Sequence, residues 1–110
     1  MARNIIDLPT LGDDGKLYRD TAVDMVESLI PNPWESCHAP DLLELENGDL
    51  LCCWFAGSRE GNADISIAVA RLPADAEQWE QPVIVSDDPT RSEQNPSLFQ
   101  NPNGDIWLMY

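Results

Sequence analysis

Basic side chains are scarce. Six Lys and Arg stand against 20 Asp and Glu, for a net charge of -14. Nucleic-acid binding rests on clustered cations that neutralise phosphates, and no such cluster is present, so that class of partner is excluded. The same imbalance argues against an anionic membrane surface, and an anionic ligand would need a local arginine cluster to override the global field. No run approaches the ~18 apolar residues of a membrane span. The opening MARNIIDLPTLGDDGK has neither an apolar h-region nor a cleavage-site pattern, so no secretory signal is expected. CxxC spacing is missing too. Cys37, Cys52 and Cys53 form an odd set read as small hydrophobes rather than redox or metal groups, with Cys52 and Cys53 on opposite faces of one strand. A reducing, cytoplasmic setting is the expectation, and nothing points to a cofactor or a metal.

What is present is a repeat. SCHAPDLLELENGDLLCCWFAG, residues 36–57, returns in EQNPSLFQNPNGDIWLMY, residues 93–110, at a constant offset of 56 with no gap. Pro40 falls on Pro96, Leu42 on Leu98, Asn47-Gly48-Asp49 on Asn103-Gly104-Asp105, and Trp54 on Tyr110. Strand signals are regular from Ala39 onward. Residues 39–45 read as a first strand closed by the hairpin dipeptide Asn47-Gly48, and residues 49–56 as a second, apolar on both faces. Residues 64–71 read as a third, with Ile65, Ile67 and Val69 on one side, and residues 82–85 as a short fourth. Residues 21–30 partly alternate and are a further strand candidate.

Four short antiparallel strands recurring at a ~50-residue period are the pattern of an all-β propeller built from four-stranded blades. A β-sandwich also has short strands, but does not require the same turn to recur in register. The expected organisation is an N-terminal segment (1–35) with a candidate ring-closing strand, a first blade (36–86) and the start of a second (87–110). One repeat unit cannot bury its own faces, so the chain is expected to be the N-terminal portion of a longer protein.

The segments HisAlaProAspLeuLeu, AsnGlyAspLeuLeu, TrpPheAlaGlySerArgGluGly and AspIleSerIleAlaValAlaArg, with the second-repeat segments AsnProSerLeuPhe and GlyAspIleTrpLeuMetTyr, resemble the start of the sialidase-like (BNR or Asp-box) six-bladed propeller proteins. The likeness spans residues 36–110. Such sialidases typically begin the first blade with Arg-Ile-Pro, whose arginine helps clamp the sialic-acid carboxylate, and carry a loop aspartate as acid/base. The resemblance places His38-Ala39-Pro40 at the Arg-Ile-Pro position, Asp64 at the aspartate and Arg59 at another arginine. Two departures stand out. His38 lacks the planar two-donor fork of arginine, and the Asp-box is reduced to Trp79.

Blade geometry puts the connection into the first strand and the loop between the second and third on one rim, with the Asn47-Gly48-Asp49 turn opposite. His38, Arg59, Glu60, Asp64, Gln94 and Asn95 then form a polar set around one opening, suited to a sugar. Each has a plainer alternative: a loop-fixing histidine, an exposed Arg59–Glu60 ion pair worth little, a loop-bonding Asp64, and turn-formers before Pro96. Asp41 is an unusual charge near the channel, Arg91 reads as solvated, and Trp34, Trp54, Trp79 and Trp107 read as core, with Trp34 the first exception to consider.

Glycoside hydrolysis needs an acid for the leaving oxygen and a group that stabilises the oxocarbenium-like state. Asp64 is the candidate acid and His38 its catalytic companion, with Arg59, Glu60, Gln94 and Asn95 as glycan contacts; the nucleophile would come from later blades. The expectation is an exo-acting, sialidase-like glycosidase. The alternatives are a polysaccharide lyase or rhamnosidase-type propeller using His38 on a uronate-containing glycan, and a non-catalytic glycan-binding propeller.

Overall fold

The computed structural model describes residues 5–7, 11–86 and 88–110. The boundary drawn at residue 87 therefore lies outside the described residues. All regular structure in them is β: β1 (Ile6–Asp7), β2 (Tyr18–Asp20), β3 (Met25–Glu27), β4 (Ser36–Glu44), β5 (Leu50–Gly57), β6 (Ser66–Leu72), β7 (Val83–Ile84), β8 (Ser97–Gln100) and β9 (Ile106–Met109). The strands β4-β5-β6-β7 form an antiparallel meander, β8-β9 a hairpin, and β1-β2-β3 a small sheet in which β1 and β2 run parallel.

The central sheet follows from its sequence. β5 is apolar at every position, and alternation sends Cys52, Trp54 and Ala56 to one face and Leu51, Cys53 and Phe55 to the other. On the first face they meet Ala68, Ala70 and Leu72 of β6, together with Leu17 and Trp79. On the second they meet Ile65, Ile67 and Leu98, so β8 packs across that face. Ile65 and Ile67 are fully buried, and a buried side chain of this size contributes about 1.5–3 kcal/mol. The sheet is thus the middle layer of a stack, covered by the N-terminal segment on one side and the second hairpin on the other.

The repeat is reproduced atom for atom at the turns. Gly48 N–H donates to Leu45 O at 2.9 Å and Leu45 N–H to Asp49 O at 2.8 Å; Gly104 to Asn101 and Asn101 to Asp105 do the same at 2.9 and 2.9 Å. Gly48 and Gly104 both sit at φ 90°, the left-handed conformation that closes a three-residue hairpin loop. Ala39 and Asn95, again 56 residues apart, are both left-handed, at φ 53° and 55°. In β4 this coincides with a bulge. His38 pairs with Phe55 while Asp41 pairs with Cys53, so one extra residue is accommodated on the β4 side.

Several expectations need correction. The strand expected over 21–30 is only Met25–Glu27, because a turn precedes it: Ala22 N–H donates to Asp20 Oδ1 and Asp24 is left-handed. The first strand starts three residues early, at Ser36, since the bulge lets it continue through Ala39. The third starts late, at Ser66, because Ile65 N–H closes a turn onto Asn62 O. Asp64 is therefore a loop residue. Trp54 and Trp79 are core and Trp34 is half-buried, edge-on to Trp54 at 6.4 Å, but Trp107 is 51% exposed and stacks on Phe99 at 5.8 Å.

Candidate functional site

Pairing of Ser36 with Gly57 brings the start of β4 and the end of β5 to the same edge of the sheet, and the 58–65 loop leaves from there. The loop is held by its own bonds. Asn62 Nδ2 donates to Ser58 Oγ at 3.2 Å, Asn62 N–H to Arg59 O at 3.1 Å, and Gly61 at φ 90° makes the bend. Asp64 accepts the Ser58 amide at 3.3 Å and is exposed. Glu93 N–H donates to Ile65 O at 3.0 Å, which seats the segment leading into β8 beside Asp64. At the opposite end of the sheet, buried Asp49 accepts from Arg71 Nε at 2.8 Å and Ala74 N–H at 2.8 Å. Those bonds, the Arg71 guanidinium first, hold the Asp49 carboxyl below its usual range. That end is a structural clasp.

The six candidates expected around one opening are not gathered in one recess: His38 and Asp64 line different ones, and Arg59, Glu60, Gln94 and Asn95 line neither. His38 is exposed, with its ring stacked on Phe55 at a centroid distance of 5.3 Å and 26° between planes. It lines a recess of about 600 Å³ with Ser28, Ile30, Cys37, Pro40 and Trp54. Asp64 lines a different recess, about 570 Å³, with Ala63, Ser66, Asp88 and Pro89. Arg59 and Glu60 are exposed in the 58–65 loop, and no ion pair joins them among the described residues. Gln94 donates to Ser92 Oγ at 2.8 Å, and Asn95 is exposed with its left-handed backbone re-aiming the chain before Pro96.

The sequence reading took Gln94, Asn95 and Arg91 from the loop between β7 and β8 but gave no role to Asp88. Asp88 is the hub of that loop: Oδ1 accepts the Thr90 hydroxyl and amide, and Oδ2 accepts Arg91 Nε at 2.9 Å. These bonds, led by the Thr90 hydroxyl, bring the Asp88 carboxyl down to about 2. Arg91 is thus tied to Asp88 rather than merely solvated. Glu93 is buried at 5% exposure and accepts the Asp88 amide through Oε1 at 2.9 Å. The Asp-Pro-Thr turn signal at 88–90 marks this loop in the sequence, but nothing in the order of residues marks a charged side chain as buried.

Asp41 is a link between repeats. Its Oδ2 accepts the Leu98 amide at 2.8 Å and the Ser97 hydroxyl at 3.2 Å, which caps the outward-facing edge of β8. Burial, followed by the negative charge of Asp41, pushes the thiols of Cys52 and Cys53 up to about 11, so both stay protonated. Among the described residues no group of three or more His, Cys, Asp or Glu is placed to hold a metal ion.

Residues 48–110, more than half of the chain, match the family model described as BNR repeat-like domain. The chain belongs to the BNR repeat-like domain family. The matched region starts at Gly48, inside the first Asn-Gly-Asp turn, and holds the second turn and every candidate residue but His38. BNR repeats are consistent with the sialidase-like superfamily, a relationship that leaves the reaction of this BNR-repeat protein open. No curated protein and no solved structure matches the chain.

Proposed function

We propose that this BNR-repeat chain is part of a sialidase-like β-propeller that removes a terminal sugar from a glycan, with residues 36–86 as one blade and 87–110 as the start of the next. The observation that carries the architecture is an exchange of burial between equivalent positions. Leu51 and Cys53, covered by the second hairpin, are 6% and 0% exposed; their counterparts Trp107 and Met109 are 51% and 52% exposed. Conversely Leu98 is 8% exposed and its counterpart Leu42 is 60% exposed. Each repeat has one face that wants a successor and one that wants a predecessor, as in a ring of stacked blades. The exposed apolar residues Val23, Met25, Val26 and Leu29 suit a segment that joins another sheet to close it.

In this reading Asp64 is the general acid, standing in the recess it shares with Asp88, and His38 stands at the other side of the opening with its ring held by Phe55. Arg59, Glu60, Gln94 and Asn95 supply donors and acceptors for sugar hydroxyls. The test uses the full-length protein, wild type beside Asp64→Asn, on a fluorogenic sialoside and a panel of other glycosides. General-acid loss lowers turnover by about 10²–10⁴-fold, with unchanged melting because the Asp64 carboxylate is held by a long 3.3 Å contact from the Ser58 amide among the described residues. A folded protein that cleaves no glycoside, or a variant as active as wild type, would end the proposal.

A further inference from the structure

The Glu93 carboxylate is half satisfied. Oε1 receives the Asp88 amide at 2.9 Å, while Oε2 is buried with no hydrogen-bond partner, in a residue only 5% exposed. A buried carboxylate oxygen without a donor is costly, and native structures leave few of them. Glu93 lines a recess of about 350 Å³ together with Asp88, Arg91, Ser92 and Tyr110. That recess adjoins the one holding Asp64, since Asp88 lines both.

We propose that Glu93 is a specificity-determining contact at this rim, its Oε2 accepting a hydroxyl donor from a neutral sugar unit; the sugar's place beside Asp64 rests on the functional reading above. The charges select the ligand class. Asp64, Asp88 and Glu93 border the two recesses, and Arg91 is committed to Asp88, so a carboxylated sugar ring would meet net repulsion there. A hydroxyl-bearing neutral ring supplies the missing donor and leaves Ser92 available for a second polar contact. An ionised acceptor makes the stronger bond, roughly twice a neutral one, so Glu93 favours a ring that carries a hydroxyl at that position over one that lacks it.

Binding, read without turnover, tests this. Affinities of the full-length protein for free neutral monosaccharides, glucuronate and N-acetylneuraminate are measured by saturation-transfer NMR titration, with wild type beside Glu93→Gln. The glutamine keeps an acceptor for the Asp88 amide, so the loop fold is retained, but turns an amide donor toward the recess. The expected result is a neutral sugar bound at least ~10-fold more weakly by Glu93→Gln, from loss of the charge-assisted bond, with the same melting temperature. Binding confined to the carboxylated sugars, or equal affinity in both proteins, overturns it. So does a lowered melting temperature with unchanged sugar affinity, which would mean that Oε2 has a fixed partner within the protein. A protein that binds through Glu93 yet cleaves nothing keeps this inference and ends the hydrolase reading. A glycosidase indifferent to Glu93→Gln does the reverse.

Discussion

Asp41→Ala removes the acceptor that ties β4 of one repeat to β8 of the next. In the native fold Asp41 takes the Leu98 amide at 2.8 Å, and Leu98 is itself 8% exposed, so the freed amide has little water to turn to. A hydrogen bond to a charged group contributes about 1.5–3 kcal/mol. Asp41 is only half-buried, and solvent reduces that figure to about 1.5 kcal/mol, with the exposed 3.2 Å bond from Ser97 adding little. Since 1.4 kcal/mol is a factor of ten in an equilibrium, the Leu98 amide should exchange with deuterium about tenfold faster in the full-length variant. Asp41→Asn, which retains a neutral acceptor, should lose about half as much free energy. Native-state hydrogen exchange resolved at Leu98, alongside urea unfolding, measures both. An Asp41→Ala protein whose Leu98 exchange stays within about twofold of wild type would refute the reasoning, as would an Asn variant no better than Ala.

The two hairpin glycines offer an internal comparison. Gly48→Ala and Gly104→Ala each force a side chain into φ 90°, at a cost of about 1 kcal/mol or more. Gly48→Ala should cost more in thermal unfolding, because its Cβ meets Ala74 Cβ at 3.3 Å whereas at Gly104 the nearest atom is 3.9 Å away. Acid sensitivity follows from Asp88, at about 2, and from Asp49, also held below the ordinary 3.8. Folded values below unfolded ones give stability that is present above about pH 4 and lost as pH falls through the folded values. The melting temperature should therefore decline between about pH 4 and pH 2, less steeply in Asp88→Asn, and a melting temperature that holds steady there would contradict it.

The central meander was legible because its information is local. The continuous apolar run in residues 49–56, the alternation of Ile65, Ile67 and Val69 in residues 64–71 and the Asn-Gly-Asp turn mark the strands without reference to the rest of the chain, and Cys52 and Cys53 do part to opposite cores. β1 and β2 escaped notice because they are two and three residues long and carry no alternation. They are held by packing instead: Leu17 enters the core with Trp79, whose amide donates to Gly15 O at 2.9 Å. For the site, strand order alone predicts that the start of β4 and the 58–65 loop leave from one end of the sheet, as the pairing of Ser36 with Gly57 shows. It did not predict that His38 and Asp64 line separate recesses, or the burial of Glu93. Both depend on how the 88–93 loop folds back on Ile65, a long-range contact with no periodic signature.

The left-handed residue that recurs 56 positions apart, within β4 and just before β8, has a consequence for how this fold can vary. The bulge at Ala39 sits between His38, whose ring stacks on Phe55, and Asp41, which fastens the next repeat. With side chains alternating, removing the extra residue would turn one of the two to the opposite face. The bulge acts as a gear between two registers, and it lets the residue at position 38 vary while the fastening at Asp41 stays engaged. Asn95 repeats the left-handed backbone ahead of β8, where Pro96 follows it as Pro40 follows Ala39.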